Sequence, residues 1–481
     1  MTALKKRILA FAAGIATVAS ANAKIELPTL MSDNLVLQQQ TDARLWGKAN
    51  AGEKVTAKVS WDKNKYTTTA DADGKWSLTV KTPEASREAQ TITISDNDSK
   101  VSLTDVLIGE VWYCSGQSNM EIPLRGYNHQ PIDGALDVIL TAREDKPIRM
   151  FTVEKGVSST PVDSCGGHWG KHNQKEVADC SATAYFFADY LSEVLGDVPV
   201  GVIISVWGGT QVQAWMSRAA AEEAGLDVSL IDEAVDRSTP DVLLRPSVLY
   251  NSMAAPVLPY TVKGMLWYQG ENNVYHPDEY ERLMPIFVQC MRDGFGLGDI
   301  PFYYVQVAPC DTYGEPGKNL GKLRLVQAKL MEQVKNCGMV VTMDIGDRIC
   351  IHPRNKKDVG KRLAYWALAK DYGMNDYVCS GPIFDHMVQD GSRALLYFRN
   401  TGGAVSPLEE WLDGFEAAGE DGVYHPARAM VELATGTLTV YCDEVKEIKK
   451  VRYGYRPYFE ASLFDNFGLP ATPFVTTGEV E

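Results

Sequence analysis

A serine framed by two amides, Gln117-Ser118-Asn119, closes the apolar run Val111-Trp112-Tyr113-Cys114 and is followed by Met120. A serine hydroxyl attacks a carbonyl carbon only when a nearby base takes its proton and hydrogen-bond donors wait for the oxyanion. His352 is the strongest base candidate among the seven histidines, because it follows an apolar run and opens the helical sequence "HPRNKKDVGKRLA". His168 and His172 are four residues apart, but Gly170 lies between them and no HExxH pattern follows, so no metal site is read from them. Cys350 reads as a packed thiol, and Cys114 lies within its apolar run rather than at the tip, which disfavours a thiol nucleophile.

Ser118 alone would read as a turn or a helix cap. Its company changes the reading. Five apolar, β-rich runs alternate with helical sequence: "DVLIGEVWYCSG", "VPVGVIISVWGG", "VKGMLWYQGE", "PFYYVQVAP" and "GMVVTMDIGD". Between them lie "SATAYFFADYLSEVLG", "DEYERLMPIFVQCMRDGFG" and "LGKLRLVQAKLMEQVKN", and the last run is followed by "KKDVGKRLAYWALAKDYG". Such alternation predicts an α/β domain with a five-stranded parallel sheet covered by helices on both faces. Four of the runs end in polar clusters: Ser115 to Asn119, Trp207 to Thr210, Gln269 to Asn273, and Asp344 to His352. Active sites in such sheets lie at the carboxyl ends of the strands, so the four clusters are expected on one rim.

The flanks differ from this core. Residues 24–105 alternate polar and apolar with turn punctuation, Asp73-Gly74 giving a hairpin signal, and predict an N-terminal β-sandwich; residues 385–481 turn strand-like again, and 106–384 form the α/β unit. Residues 1–23 carry Lys5, Lys6 and Arg7, a short apolar stretch and Ala21-Asn22-Ala23, the pattern of a secretory signal. The expectation is an exported protein, periplasmic or secreted, with no membrane span. A formal charge of -15 argues against nucleic-acid binding. Nine cysteines are an odd number, with Cys165 and Cys180 one conceivable loop closure. Trp112, Trp207, Trp215 and Trp267 offer broad aromatic faces for stacking, yet three lie in or beside strands and read first as core.

"GQSNM", "WGGT", "WYQGENN" and "IHPRNK", in this order, resemble the four blocks of the SGNH hydrolases, and specifically the sialate O-acetylesterase family. "LYNSMAAPV", "GFEAAGEDGVYHPARA", "VRYGYRP" and "FGLPATPF" are similar to further segments of that family, so the likeness covers nearly the whole mature chain. The GxSxG elbow of α/β-hydrolases is absent, since position 120 is Met. The resemblance implies an SGNH-type three-layer sandwich with accessory β regions, hydrolysing O-acetyl esters on sugars through an acyl-enzyme, without metal or organic cofactor. Sialic acid is the sugar it favours.

It further implies Ser118 as nucleophile and His352 as base. Oxyanion donors would be the backbone N–H of Ser118, that of Gly209 (Gly208 as alternative), and the Gln269 amide. Asn273, Gln117, Asn119 and Glu271 would contact substrate; for an anionic sugar, Arg354 and Arg149 are substrate-binding candidates by position alone. One departure stands out: members of the superfamily commonly place an acid two or three residues before the histidine, where this chain has Cys350 and Ile349. Asp347 is the expected orienting acid; Asp344, Glu271 or a Ser-His dyad held by a backbone carbonyl are the alternatives. A polysaccharide deacetylase acting on acetylxylan, or a sugar-binding protein that has lost catalysis, would share these blocks.

Overall fold

A computed structural model describes residues 24–312 and 318–476. The secretory signal expected over 1–23 lies outside the described residues. The described chain opens with seven strands, β1 (Val36–Gln38), β2 (Asp42–Lys48), β3 (Lys54–Val59), β4 (Lys65–Thr69), β5 (Lys75–Lys81), β6 (Ser86–Ser95) and β7 (Lys100–Gly116). In β5 every second side chain is buried, Trp76, Leu78 and Val80 facing inward between exposed neighbours, as a half-buried strand demands. The turn at Asp73-Gly74 forms, with Gly74 at φ +76°, but it does not close a hairpin. β4 pairs with β3 and β5 with β2, so the turn passes the chain from one sheet of the sandwich to the other.

β7 is the spine of the molecule. Its first half pairs antiparallel with β6, and its second half runs into the α/β unit, where β10 (Val200–Val206) and β11 (Gly264–Tyr268) flank it in parallel. The division expected at 105/106 therefore falls inside one continuous strand. What changes there is the environment rather than the chain direction: residues 106–116 are all buried, whereas 100–105 are mostly not.

With β8 (Ile148–Thr152), β9 (Trp169–Lys171), β12 (Phe302–Val305) and β13 (Cys337–Val340), the central sheet runs β13-β12-β11-β7-β10-β8-β9. All neighbours are parallel except β9, which closes the edge antiparallel to β8. The expected sheet of five parallel strands is thus six plus an antiparallel edge. β8, "IRMFT", is five residues long and interrupted by Arg149, too short and too polar to stand out in sequence.

Alternate residues of the strands enter two cores. Trp112, Cys114, Val202, Ile204, Leu266 and Tyr268 pack with the helices Ala182–Val194 and Lys356–Asp371. Val111, Tyr113, Ile203, Met265 and Trp267 pack with the helix Pro277–Phe295 and the β-sandwich. Because successive side chains of a strand point to opposite faces, these cores lie on opposite sides of the sheet. Cys165 belongs to one and Cys180 to the other, so they do not pair; all nine cysteines are free.

From Ile383 onward the chain forms a seven-stranded antiparallel sheet. It is pinned to the α/β unit by Arg324, fully buried, whose guanidinium donates to the carbonyls of Gly454 (2.9 Å) and Pro457 (3.2 Å). Burial without a carboxylate pushes its pKa down to about 9. Among the described residues no helix is long and apolar enough to cross a membrane.

Candidate active site

The register of three adjacent strands puts their ends at one level. Gly116 of β7 pairs with Val206 of β10 and Tyr268 of β11, so the segments following each begin side by side. Gly116 has φ +140°, and a Cβ there would meet the Tyr268 carbonyl oxygen at 2.2 Å, which leaves glycine as the residue that fits. The chain then turns into the short helix Ser118–Glu121. Ser118 is its first residue, half-buried, with the N–H that no helical carbonyl can reach.

His352 arrives from the loop after β13. Its Nε2 lies 2.8 Å from Ser118 Oγ, across 234 positions of sequence. Its Nδ1 lies 2.7 Å from Gln130 Oε1. Since an amide oxygen only accepts, Nδ1 carries the proton and Nε2 is left to accept from the serine hydroxyl. Burial, with the Lys356 cation second and Glu121 opposing, pushes the His352 pKa down to about 4. The imidazole is a neutral base through the physiological range.

The three carboxylates considered for orienting His352 are occupied elsewhere. Asp347 Oδ1 accepts the backbone N–H groups of Ile349 (2.9 Å) and Cys350 (3.0 Å), closing its own turn. Asp344 forms a two-pronged pair with Arg362 at 2.7 and 2.6 Å. Glu271 accepts from Asn119. Gln130 takes the place at Nδ1 instead. Sequence reasoning missed it because an uncharged residue in "RGYNHQP" carries no chemical signature; the absent acid before His352 was the available hint. The segment that bears it latches onto the histidine loop: the Tyr127 ring stands edge-on to His352 at 5.9 Å, and the Asp133 N–H donates to the Arg354 carbonyl.

Of the three donors expected for an oxyanion, one is engaged inside the protein. Among the described residues, neither the Ser118 nor the Gly209 N–H is taken by a protein acceptor, whereas the Gly208 N–H is bound by the Glu121 carboxylate. A Cβ on Gly208 would lie 3.2 Å from that of Ser118, so this loop rests directly on the serine. Gln269, however, is fully buried, and its amide nitrogen donates to the Thr210 carbonyl (3.2 Å) and Asn273 Oδ1 (2.7 Å). Asn273 in turn donates to Gln213 and accepts from the Val212 N–H. The two amides brace the strand ends, which leaves two backbone donors for an oxyanion.

Other residues expected to touch substrate are inside the protein. Asn119 and Glu271 are 0% and 5% exposed, and Gln117 accepts from the Gly270 and Asn272 N–H groups. Arg354 is exposed and paired with Asp133 at 2.6 Å. Arg149 sits opposite Gly201, at the start of its strand and so at the far end of the sheet from Ser118. Trp112, Trp215 and Trp267 are core, while Trp207 is half-buried with Lys155 and Arg237 each 5.4 Å from its ring centre. His172 is buried with both ring nitrogens hydrogen-bonded, to Arg143 and Tyr185, and His168 pairs with Glu176. A cavity of about 780 Å³ lies elsewhere, between the β-sandwich and the α/β unit, lined by Trp46, Trp76 and Asp163 among others.

Residues 108–369, more than half of the chain, match the family described as carbohydrate esterase, sialic acid-specific acetylesterase. The chain belongs to this family. It is 25% identical to the human sialate O-acetylesterase over 95% of its own length and 93% of the relative's. With the rat sialate O-acetylesterase it shares 27% identity over 73% of this chain and 74% of that one. Among solved structures, a carbohydrate acetylesterase from Xanthomonas citri superposes with a TM-score of 0.84 at 31% identity, covering 95% of this chain and all of the other. As a member of the family the protein is a carboxylic ester hydrolase.

Proposed function

We propose that this esterase removes acetyl groups from sugar hydroxyls by a serine-histidine mechanism, with O-acetylated sialic acids as its substrate class. The observation that carries the mechanism is the 2.8 Å contact between Ser118 Oγ and His352 Nε2. Ser118 attacks the acetyl carbonyl while His352 takes its proton, and the oxyanion falls to the N–H groups of Ser118 and Gly209. Collapse breaks the bond to the sugar oxygen, which receives the proton from His352. Water then repeats the sequence on the acyl-enzyme, releasing acetate and restoring Ser118. Gln130 holds the imidazole in the productive tautomer and accepts from the imidazolium, as an amide does in cysteine proteases of the Cys-His-Asn type. The signal-like residues 1–23 support action outside the cytoplasm.

The substrate class rests on the family description and the curated relatives. Against it stands the absence of an uncommitted arginine among those first considered: Arg354 is spent on Asp133 and Arg149 is remote. That observation favours, as second reading, a neutral acetylated polysaccharide such as acetylxylan. Acetate release measured on O-acetylated sialic acid and on acetylated xylan separates the two. Faster turnover of the sialic acid ester, abolished in Ser118→Ala, is the expected result. Turnover of xylan alone would move the substrate to the second reading, and turnover unaffected by Ser118→Ala would overturn the mechanism. Equal inertness of wild type and variant would leave sugar binding as the function.

A further inference from the structure

Beneath the Ser118–His352 pair lies a lysine that the mechanism does not use. Lys356, the first residue of the helix Lys356–Asp371, is 0% exposed and has no carboxylate within ion-pair distance among the described residues. Its Nζ donates to Asn119 Oδ1 at 2.5 Å and stands 5.3 Å from the centre of the Tyr268 ring. The amide nitrogen of Asn119 donates to the Glu271 carboxylate and, at 2.9 Å, to the carbonyl of Ile351. The second oxygen of Glu271 is buried without a partner. One amide thus separates a buried cation from a buried carboxylate. Its neighbours in sequence matter: Asn119 follows Ser118, Ile351 precedes His352, and Glu271 belongs to the segment after β11.

A buried charge without a direct counter-ion is costly to keep, so its retention calls for an account beyond packing. We propose that Lys356 is a positioning residue for the hydrolytic pair: through Asn119 it ties the histidine loop to the nucleophile's turn, and in acid it places a positive charge near the imidazole. This rests on the Ser118–His352 reading above and adds a residue to it.

The groups facing His352 are Lys356 from the following helix, Glu121 from the nucleophile's turn, Ser118, Gln130 and the Tyr127 ring. Those facing Lys356 are Glu271 and Cys350, with Asn119 and Tyr268. Burial lowers the amine of Lys356 to about 7, so through the acid range where His352 titrates the lysine is charged and opposes protonation of the ring. Removing that charge raises the histidine's titration midpoint.

Nitrogen-15 NMR of labelled histidine, with His352 assigned by its absence in His352→Gln, reads this without turnover. Lys356→Met should move the midpoint up by about one pH unit. The double variant Lys356→Met/Glu271→Gln removes both buried charges, so it should recover thermal stability lost in the single variant and keep the raised midpoint. A midpoint unchanged in both would overturn the electrostatic role. If neither folded, Lys356 would be a stability residue and the proposal would fall. Asn119→Ala cuts the tether: kcat on an aryl acetate should drop about tenfold with KM unchanged, as loss of alignment predicts. An unchanged kcat would overturn the tether. Inertness of the wild type towards acetyl esters would instead defeat the proposed mechanism, and the NMR result would stand on its own.

Discussion

Ser118 and His352 reach the same point by opposite means. The serine sits two residues beyond the end of β7, between two strands whose register with it is set by backbone hydrogen bonds, so the sheet itself fixes its position. The histidine sits on a loop beginning at Val341, twelve residues beyond the last strand pairing, and is held by side chains from elsewhere. Asn119 holds the Ile351 carbonyl, Gln130 the ring, and Asp311 and the Tyr458 ring hold Arg348 within the loop. The placement of the serine is therefore local and regular, whereas that of the histidine depends on contacts drawn from both the α/β unit and the C-terminal region. The lesson is that damage to the serine side should act on the chemistry itself, while damage to the histidine side should be graded by how much of its support is lost.

The largest effect belongs to the serine side. Ser118→Ala should lower kcat for acetate release by roughly 10⁴-fold or more without unfolding the protein, checked by a coupled acetate assay and a thermal melt. On the histidine side, Gln130→Ala should lower kcat by about 10²-fold with little change in KM, because the ring loses its tautomer lock but keeps its contact with Ser118. A loss as large as that of Ser118→Ala would show that the base is no better buffered than the nucleophile.

Gln130→Glu sharpens the contrast through pH. A carboxylate at Nδ1 favours the imidazolium, so the pKa of His352, about 4 in the wild type, should rise by about one to two units. The proposed mechanism needs the neutral base. The acid limb of the kcat/KM profile should therefore move up, with activity near pH 5 falling relative to that near pH 8.

Arg348→Ala removes the ion pair to Asp311 and the stacking on Tyr458. It should lower kcat a few-fold and stability by about 1 kcal/mol, read by steady-state kinetics and urea denaturation. Arg354→Ala should be the mildest change. Its exposed pair with Asp133 is worth at most about 1 kcal/mol, and KM for a neutral aryl acetate should not move.

How much of this was legible beforehand follows the same division. Strand-borne features came through: the runs ending at Gly116, Val206 and Tyr268 were visible as apolar segments with polar tips, because a buried parallel strand must be apolar along its length and its exit must be polar. Features that depend on distant partners did not. Asp347 looked like an orienting acid by proximity in sequence, yet its carboxylate is consumed by the N–H groups two and three residues ahead, a local bond that outcompetes a reach to the ring. Asn119, Glu271 and Asn273 looked like substrate contacts, and Gln269 like an oxyanion donor, because polar residues cluster at a site, but all four are buried and hydrogen-bonded within the protein.

The amino-acid sequence by itself determined the alternation of strands and helices, the four polar strand ends and the identities of the hydroxyl and the imidazole. These follow from periodicity and side-chain chemistry, which are properties of short stretches. Only the tertiary structure decided that Gln130 faces Nδ1, that the Gln269 amide turns inward, and that Lys356 is buried with Asn119 between it and Glu271. Each of those outcomes is a competition among donors and acceptors brought together from distant parts of the chain, and no short stretch contains all the competitors.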